Sequence, residues 1–314
     1  MMYTGETPWH GLGTRLEEPA TAREAIEAAG LDYQAELKEL QTIEGKAVPQ
    51  RRAVVRSDTG DILGVVGKSY VPAQNAQAFS FLDAVVADGS LRYDTAGALG
   101  RGERVWMLAK LPGHIRIKGG DDIVNKFLLL SNSHDGTAAL RIQYTGVRVV
   151  CSNTLNMALR HRGARSISIL HKGDLTAKIE EAQRVLGFAD LFFQDAEVKI
   201  DILANHYPTT DQVQDYFKAL YPDPADADSN RARNIRDRLA ALFESGIGMD
   251  IHAIKGTTWA AYNAVTEYVD HHRPTRTRDT TLRRSRRLES AWFGSGAILK
   301  ARAWNEALAL ALAS

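Results

Sequence analysis

The chain has 314 residues and a formal net charge of +1, with 44% hydrophobic and 25% charged residues. This balance is that of a folded globular protein and excludes an extended disordered chain. The single cysteine, Cys151, excludes an intrachain disulfide and a cysteine-based zinc site. No run of about 18 apolar residues points to a membrane span, and the N-terminus lacks the basic-then-apolar order of a signal peptide, so a cytoplasmic protein is expected.

In chain order, a short helix is predicted over 21–29, capped by Thr21 and stopped by Gly30. β-rich runs at 52–56 and 62–67 flank a Ser-Asp-Thr-Gly turn and read as a hairpin. Residues 74–86 read as a helix with Phe79, Leu82, Val85 and Val86 on one face. A second hairpin is predicted from 91–99 and 103–110 around Gly100 and Gly102, and a third from 126–131 and 138–144 across 132–136. Further strands are expected at 147–150 and 167–170, with a short helix between them from Cys151 to about His161, capped by Ser152 or Asn153.

The second part reads as helical. Apolar residues from Leu175 to Phe193 recur close to every 3.6 residues, predicting a helix over 174–195. Helices are also predicted over 210–220, 230–244, 257–272 and 288–312, the last interrupted at Gly294 and Gly296. The fold class is therefore α+β: antiparallel hairpins with packed helices over 1–173, then a mainly helical region over 174–314.

The near-neutral total hides segregated charge. Residues 272–287 hold seven arginines (Arg273, Arg276, Arg278, Arg283, Arg284, Arg286 and Arg287) against one acid, Asp279, a net charge of +6. Residues 136–172 contain no Asp or Glu but carry Arg141, Arg148, Arg160, Arg162, Arg165 and Lys172, again +6. Removing both regions from a total of +1 leaves −11 for the rest. Dense like charge must be solvated or meet an anion, and the common extended anion is nucleic acid. The 272–287 run is read as a loop. Tyr144 and Arg148, an even number of residues apart, share one strand face, the arrangement by which bases stack and phosphates pair on single strands; core burial of Tyr144 is the competing reading.

Two constellations carry possible metal chemistry. Glu267 and His271, four residues apart on one helix, could ligate a metal, or form a surface pair ending in a cationic cap. His134 and Asp135 lie in a polar loop that could serve a nuclease metal or simply make a tight turn. No third ligand is evident for either, and no phosphate-loop, nucleophile-elbow or dinucleotide motif is present.

The segments TPWHGLG (7–13), GVVGKSY (64–70), CSNTL (151–155), KGTTW (255–259) through His272, and LESAWFG (288–294) resemble the phage/plasmid-like protein family, a domain family of unknown function. The resemblance spans nearly the whole chain. It implies a mobile-element setting in a bacterial cytoplasm and transfers no active site. The reading is a non-enzymatic DNA-binding protein that prefers single strands and serves phage or plasmid recombination, replication or DNA protection, with annealing proteins as the fold-level analogy. It is expected to need no cofactor and to form homo-oligomers. The alternatives are a metal-dependent nuclease and an interaction module of a mobile element.

Overall fold

The structure, a computed structural model, describes residues 1–5, 8, 12–16, 21–79, 83, 91–138, 140–150, 153–155, 167–168, 175–223 and 230–313. It is an α+β fold, with sheets toward the N-terminus and a mainly helical C-terminal half. The elements run β1 (Met2–Thr4), β2 (Thr14–Leu16), α1 (Ala22–Ala28), β3 (Ala35–Gln41), β4 (Ala47–Arg56), β5 (Ile62–Gly67), α2 (Asn75–Phe79), β6 (Arg92–Leu99), β7 (Arg104–Arg116), β8 (Ile123–Ser133), β9 (Arg141–Arg148), β10 (Thr154–Leu155) and β11 (Ile167–Ser168). Helices follow: α3 (Leu175–Asn205), α4 (Thr210–Leu220), α5 (Arg231–Ser245), α6 (Thr258–Glu267), a π-helical turn (Tyr268–His272), α7 (Thr280–Trp292) and α8 (Ser295–Leu312).

Two sheets form. The larger has the order β10-β9-β8-β7-β6-β1-β2, with β11 also paired to β9; β1 runs parallel to β2 and antiparallel to β6. The smaller is the antiparallel meander β3-β4-β5. The hairpin turns fall at their glycines: Gly60, Gly100 and Gly102 all take positive φ, which a side chain would oppose. Gly64 has a different reason, since a Cβ there would lie 2.5 Å from the Asp135 backbone.

Two predicted features are corrected. Residues Thr154–Leu155, placed in a helix by sequence, instead pair with Val147 and Gly146 as β10; the rest of that segment lies outside the described residues. The second half of the arginine-rich run is not a loop. It forms the N-terminal part of α7, because Asp279 accepts a hydrogen bond from the Leu282 amide and caps the helix.

The chain divides into two compact units, each assembled from separate segments. The first comprises Met1–Pro112, Phe127–Tyr144 and His161–Ala189. Its core gathers Leu31, Phe79, Tyr93, Trp106, Met107 and Leu128, all buried. Thr21 and Glu24 close a reciprocal capping box on α1. The second comprises Gly113–Lys126, Thr145–Arg160 and Asp190–Ser314. All ten residues of α6 are buried, and its Tyr262 ring meets Trp304 of α8 edge-on at 5.2 Å.

Candidate nucleic-acid interface

The site is built within the second unit, where α6 ends. Thr257 caps the start of α6 by accepting from the Ala260 amide. The helix then widens into the π-turn, closed by the Arg273 amide donating to the Tyr268 carbonyl at 2.7 Å. Pro274 disfavours helical geometry at Arg273, whose ψ of 126° turns the chain outward. The extra residue in the turn redirects each side chain. Sequence spacing pairs Glu267 with His271, but the π-turn gives Glu267 to His272 at 3.3 Å and sends His271 Nε2 to Asn153 Oδ1 at 3.0 Å.

Glu267 is buried and both its oxygens are engaged. Oε2 accepts from the Ile247 amide at 2.9 Å, and Oε1 accepts from His272 Nε2. Arg238 donates to the other ring nitrogen of His272 at 3.4 Å. Because a guanidinium can only donate, the imidazole accepts at Nδ1 and donates from Nε2. The result is a chain from Arg238 through His272 to Glu267.

Asp270, in the same turn, is fully buried. It accepts from the Thr154 amide at 2.7 Å, from Thr154 Oγ1 at 2.9 Å and from Lys300 Nζ at 2.8 Å. Lys300 also donates to the Thr154 carbonyl and hydroxyl, so all three of its N–H groups are used. This buried network fixes the π-turn to β10 and α8.

Beside the turn is an open cavity of about 930 Å³. Tyr268, His272 and Arg273 line it from the turn, Arg231 and Arg238 from α5, and Tyr221 from the end of α4. Tyr221 and Tyr268 meet edge-on at 6.2 Å. Burial pushes the Tyr221 hydroxyl up to about 12, with Tyr268 adding to the shift and Arg273 and Arg231 opposing it. The group therefore stays a hydrogen-bond donor at neutral pH. No carboxylate is among the described lining residues.

The cavity runs into the arginine-rich segment. Arg276, Arg278, Arg283, Arg284 and Arg286 are exposed, and Arg273 and Arg287 are half-buried. Among the described residues, no carboxylate forms an ion pair with Arg273, Arg276, Arg278, Arg283, Arg286 or Arg287. Among the described residues, Arg283 reaches the Thr277 and Arg278 carbonyls, and Arg287 the Arg273 carbonyl. Burial lowers the Arg287 pKa, and Arg283, four residues before it, pushes the same way. Cations at the start of a helix also oppose its dipole. Leu288, Ala291 and Trp292 bury the apolar side of α7. The arginines thus break local rules of helix stability where a functional surface would do so.

The remaining predicted residues are placed differently. Arg141 is exposed on β9. Tyr144 is interior: it is 7% exposed and donates its hydroxyl to the Val185 carbonyl at 3.0 Å, so its ring is not a stacking platform. Arg148 is likewise withdrawn from any interface. It is fully buried, with Nε 2.7 Å from Asp122 and its other nitrogens donating to the Ile247 and Gly248 carbonyls. Gly248 makes room for it, since a Cβ there would lie 3.0 Å from the guanidinium. Arg160, Arg162, Arg165 and Lys172 lie outside the described residues.

In the first unit, Asp135 accepts from Ser133, from the Thr137 amide and from the Thr137 hydroxyl, organising a turn. Burial pushes its carboxyl up, but the hydrogen bonds from Ser133 and Thr137 outweigh this and hold it below its usual value. His134 is buried and donates from Nε2 to Asn75 Oδ1 at 2.9 Å, while Nδ1 has no partner among the described residues. Among the described residues, no group of three or more His, Cys, Asp or Glu side chains is placed to hold a metal.

His134 carries a pH prediction. Burial lowers its pKa from 6.5 to about 4, with Asp135 opposing weakly. The unfolded chain therefore takes up this proton first as pH falls. The stability that neutral His134 supports is complete above about 6.5 and is lost between about 6.5 and 4. Urea denaturation at about pH 4.5 against pH 7 is expected to show a loss of roughly 2.5 kcal/mol from this group, absent from His134→Gln. Equal pH slopes for the two proteins would refute it.

Sequence reasoning missed Tyr221, Arg231 and Arg238. Their signal was present: Arg231, Asn234, Ile235 and Arg238 follow the i, i+3, i+4, i+7 spacing of one helix face. These features define an α+β protein whose helical unit carries a cationic, aromatic-lined surface. The chain belongs to the family defined by the domain of unknown function DUF932, whose family model matches residues 62–292, a span that includes the cavity and all of α7. No curated protein and no solved structure matches the chain. Among the described residues, no helix is long and apolar enough to cross a membrane.

Proposed function

We propose that this protein binds nucleic acid, preferring single-stranded DNA, and acts without catalysis in the recombination, replication or protection of phage or plasmid DNA. The observation that carries the reading is that Arg273, Arg276, Arg278, Arg283, Arg286 and Arg287 have no carboxylate partner among the described residues. Such a row keeps its charge available to phosphates, and phosphate contacts supply most sequence-independent affinity. The neighbouring half-buried Tyr221 suits a strand whose bases are unpaired, because every base has a face or edge that an aromatic ring can meet.

The test is fluorescence anisotropy of a labelled single-stranded oligonucleotide over a range of salt concentrations, with the duplex alongside. Binding is expected at low salt and should weaken steeply as salt rises. Arg283→Ala, Arg284→Ala and Arg286→Ala together should lower the slope of log affinity against log salt by about 2, the share of three phosphate contacts on a single strand. Absence of binding at low salt, or an unchanged slope in the triple variant, would refute the reading.

A further inference from the structure

The cavity beside the π-turn has a composition that a general basic surface does not need. We propose that it is a binding site for one nucleotide unit, with Arg238 and Arg273 holding the phosphate and Tyr221, backed by the buried Tyr268, contacting the base or sugar. This deepens the nucleic-acid reading by naming the unit that is gripped, and it rests on that reading only where a DNA strand is the source of the nucleotide.

Three observations carry it. First, Arg273 is half-buried in the cavity wall, and its Nη1, shielded from solvent, has no hydrogen-bond partner among the described residues. A charged group left with an unpaired donor is costly, and an anion held against Arg273 from the cavity would balance its charge. Second, Arg238 and Arg273 line the same space, with no carboxylate among the described lining residues. Glu267 is kept from the cavity by its bonds to Ile247 and His272, and through His272 it orients Arg238 instead of neutralising the pocket. Third, the cavity volume of about 930 Å³ lies in the range of small-ligand sites, and its aromatic wall includes a tyrosine hydroxyl held as a donor. Planar guanidinium forks match phosphate oxygens two at a time, which favours phosphate over a simple halide. The aromatic wall favours a phosphate that carries a ring.

The ligand chemistry is shared by a free nucleotide and by the phosphorylated end of a DNA strand. Titration calorimetry on the full chain, with thymidine 5′-monophosphate and with inorganic phosphate, tests the site itself. The nucleotide is expected to bind, and phosphate alone to bind about tenfold more weakly, the share of one aromatic contact. Arg273→Ala and Arg238→Ala should each weaken nucleotide binding by about tenfold or more, while Arg23→Ala, at a residue that is not among the lining residues, should not. Tyr221→Leu should weaken it, and Tyr221→Phe should restore most of the loss. Circular dichroism checks that each variant is folded.

Oligonucleotides with a 5′-phosphate or a 5′-hydroxyl distinguish the sources. Tighter binding of the phosphorylated strand, abolished by Arg273→Ala, assigns the strand end; equal binding with retained nucleotide affinity assigns the free nucleotide. Failure of the nucleotide to bind, or binding indifferent to both arginine variants, overturns the pocket. If oligonucleotides still bind through the α7 arginines, only the pocket falls. If the nucleotide binds and oligonucleotides do not, the pocket stands and the strand-binding reading falls.

Discussion

Asp122→Ala is expected to destabilise the protein by about 3–5 kcal/mol, measured by urea denaturation with tryptophan fluorescence, because it leaves a buried guanidinium without its counter-charge. Asp122 and Arg148 are both fully buried, and their contact is 2.7 Å. Asp122 uses its second oxygen to accept from Trp259 Nε1 at 2.9 Å. Alanine would therefore take this carboxylate from the arginine and the acceptor from the indole. The Ile247 and Gly248 carbonyls that Arg148 also reaches, at 3.2 and 3.3 Å, are neutral and cannot balance a full charge. Asp122→Asn retains an acceptor for Trp259 and should cost less. A loss below about 1 kcal/mol in Asp122→Ala would show that water reaches Arg148.

The same pair explains where sequence reasoning stopped. Strand parity put Tyr144 and Arg148 on one face of β9, and both are buried while Arg141 is exposed. Parity could not say what covered that face. The partner of Arg148 is an aspartate 26 residues earlier in sequence, and nothing local signals such a pairing. Caps and turns were legible because their physics is local: Thr21 reaches three residues ahead, and Gly100 and Gly102 answer to their own φ. Strand β3 was not, since AELKELQ favours a helix by propensity and becomes a strand only by pairing with β4. The π-turn was hidden for a similar reason. Helical spacing assumes 3.6 residues per turn, and one inserted residue moved the histidines to new partners. The arginine-rich run was visible as charge, but its helical half depended on Asp279 acting as a cap and not as a counter-ion.

Lys300→Met is expected to produce the second large effect, again about 3–5 kcal/mol, and to reach the candidate site as well. The change leaves Asp270 as a buried carboxylate whose donors among the described residues are the Thr154 amide and hydroxyl. Asp270→Asn alone should cost a similar amount by stranding the Lys300 ammonium. The double variant should cost less than the sum, because the worst consequence of each single change is an uncompensated charge. If the two losses simply add, the pair does not act as a unit. The second readout is functional. Asp270 sits between Tyr268 and His272, so its bonds to Thr154 and Lys300 set the position of the turn that presents Tyr268, His272 and Arg273 to the cavity. Under conditions where Lys300→Met remains folded, thymidine monophosphate affinity should fall although Lys300 does not line the pocket. Oligonucleotide contacts made by the exposed arginines of α7, which begins seven residues after Arg273, should change less. A variant that loses stability while keeping full nucleotide affinity would show that the pocket is shaped from the α5 side, by Arg231 and Arg238, and not by the π-turn.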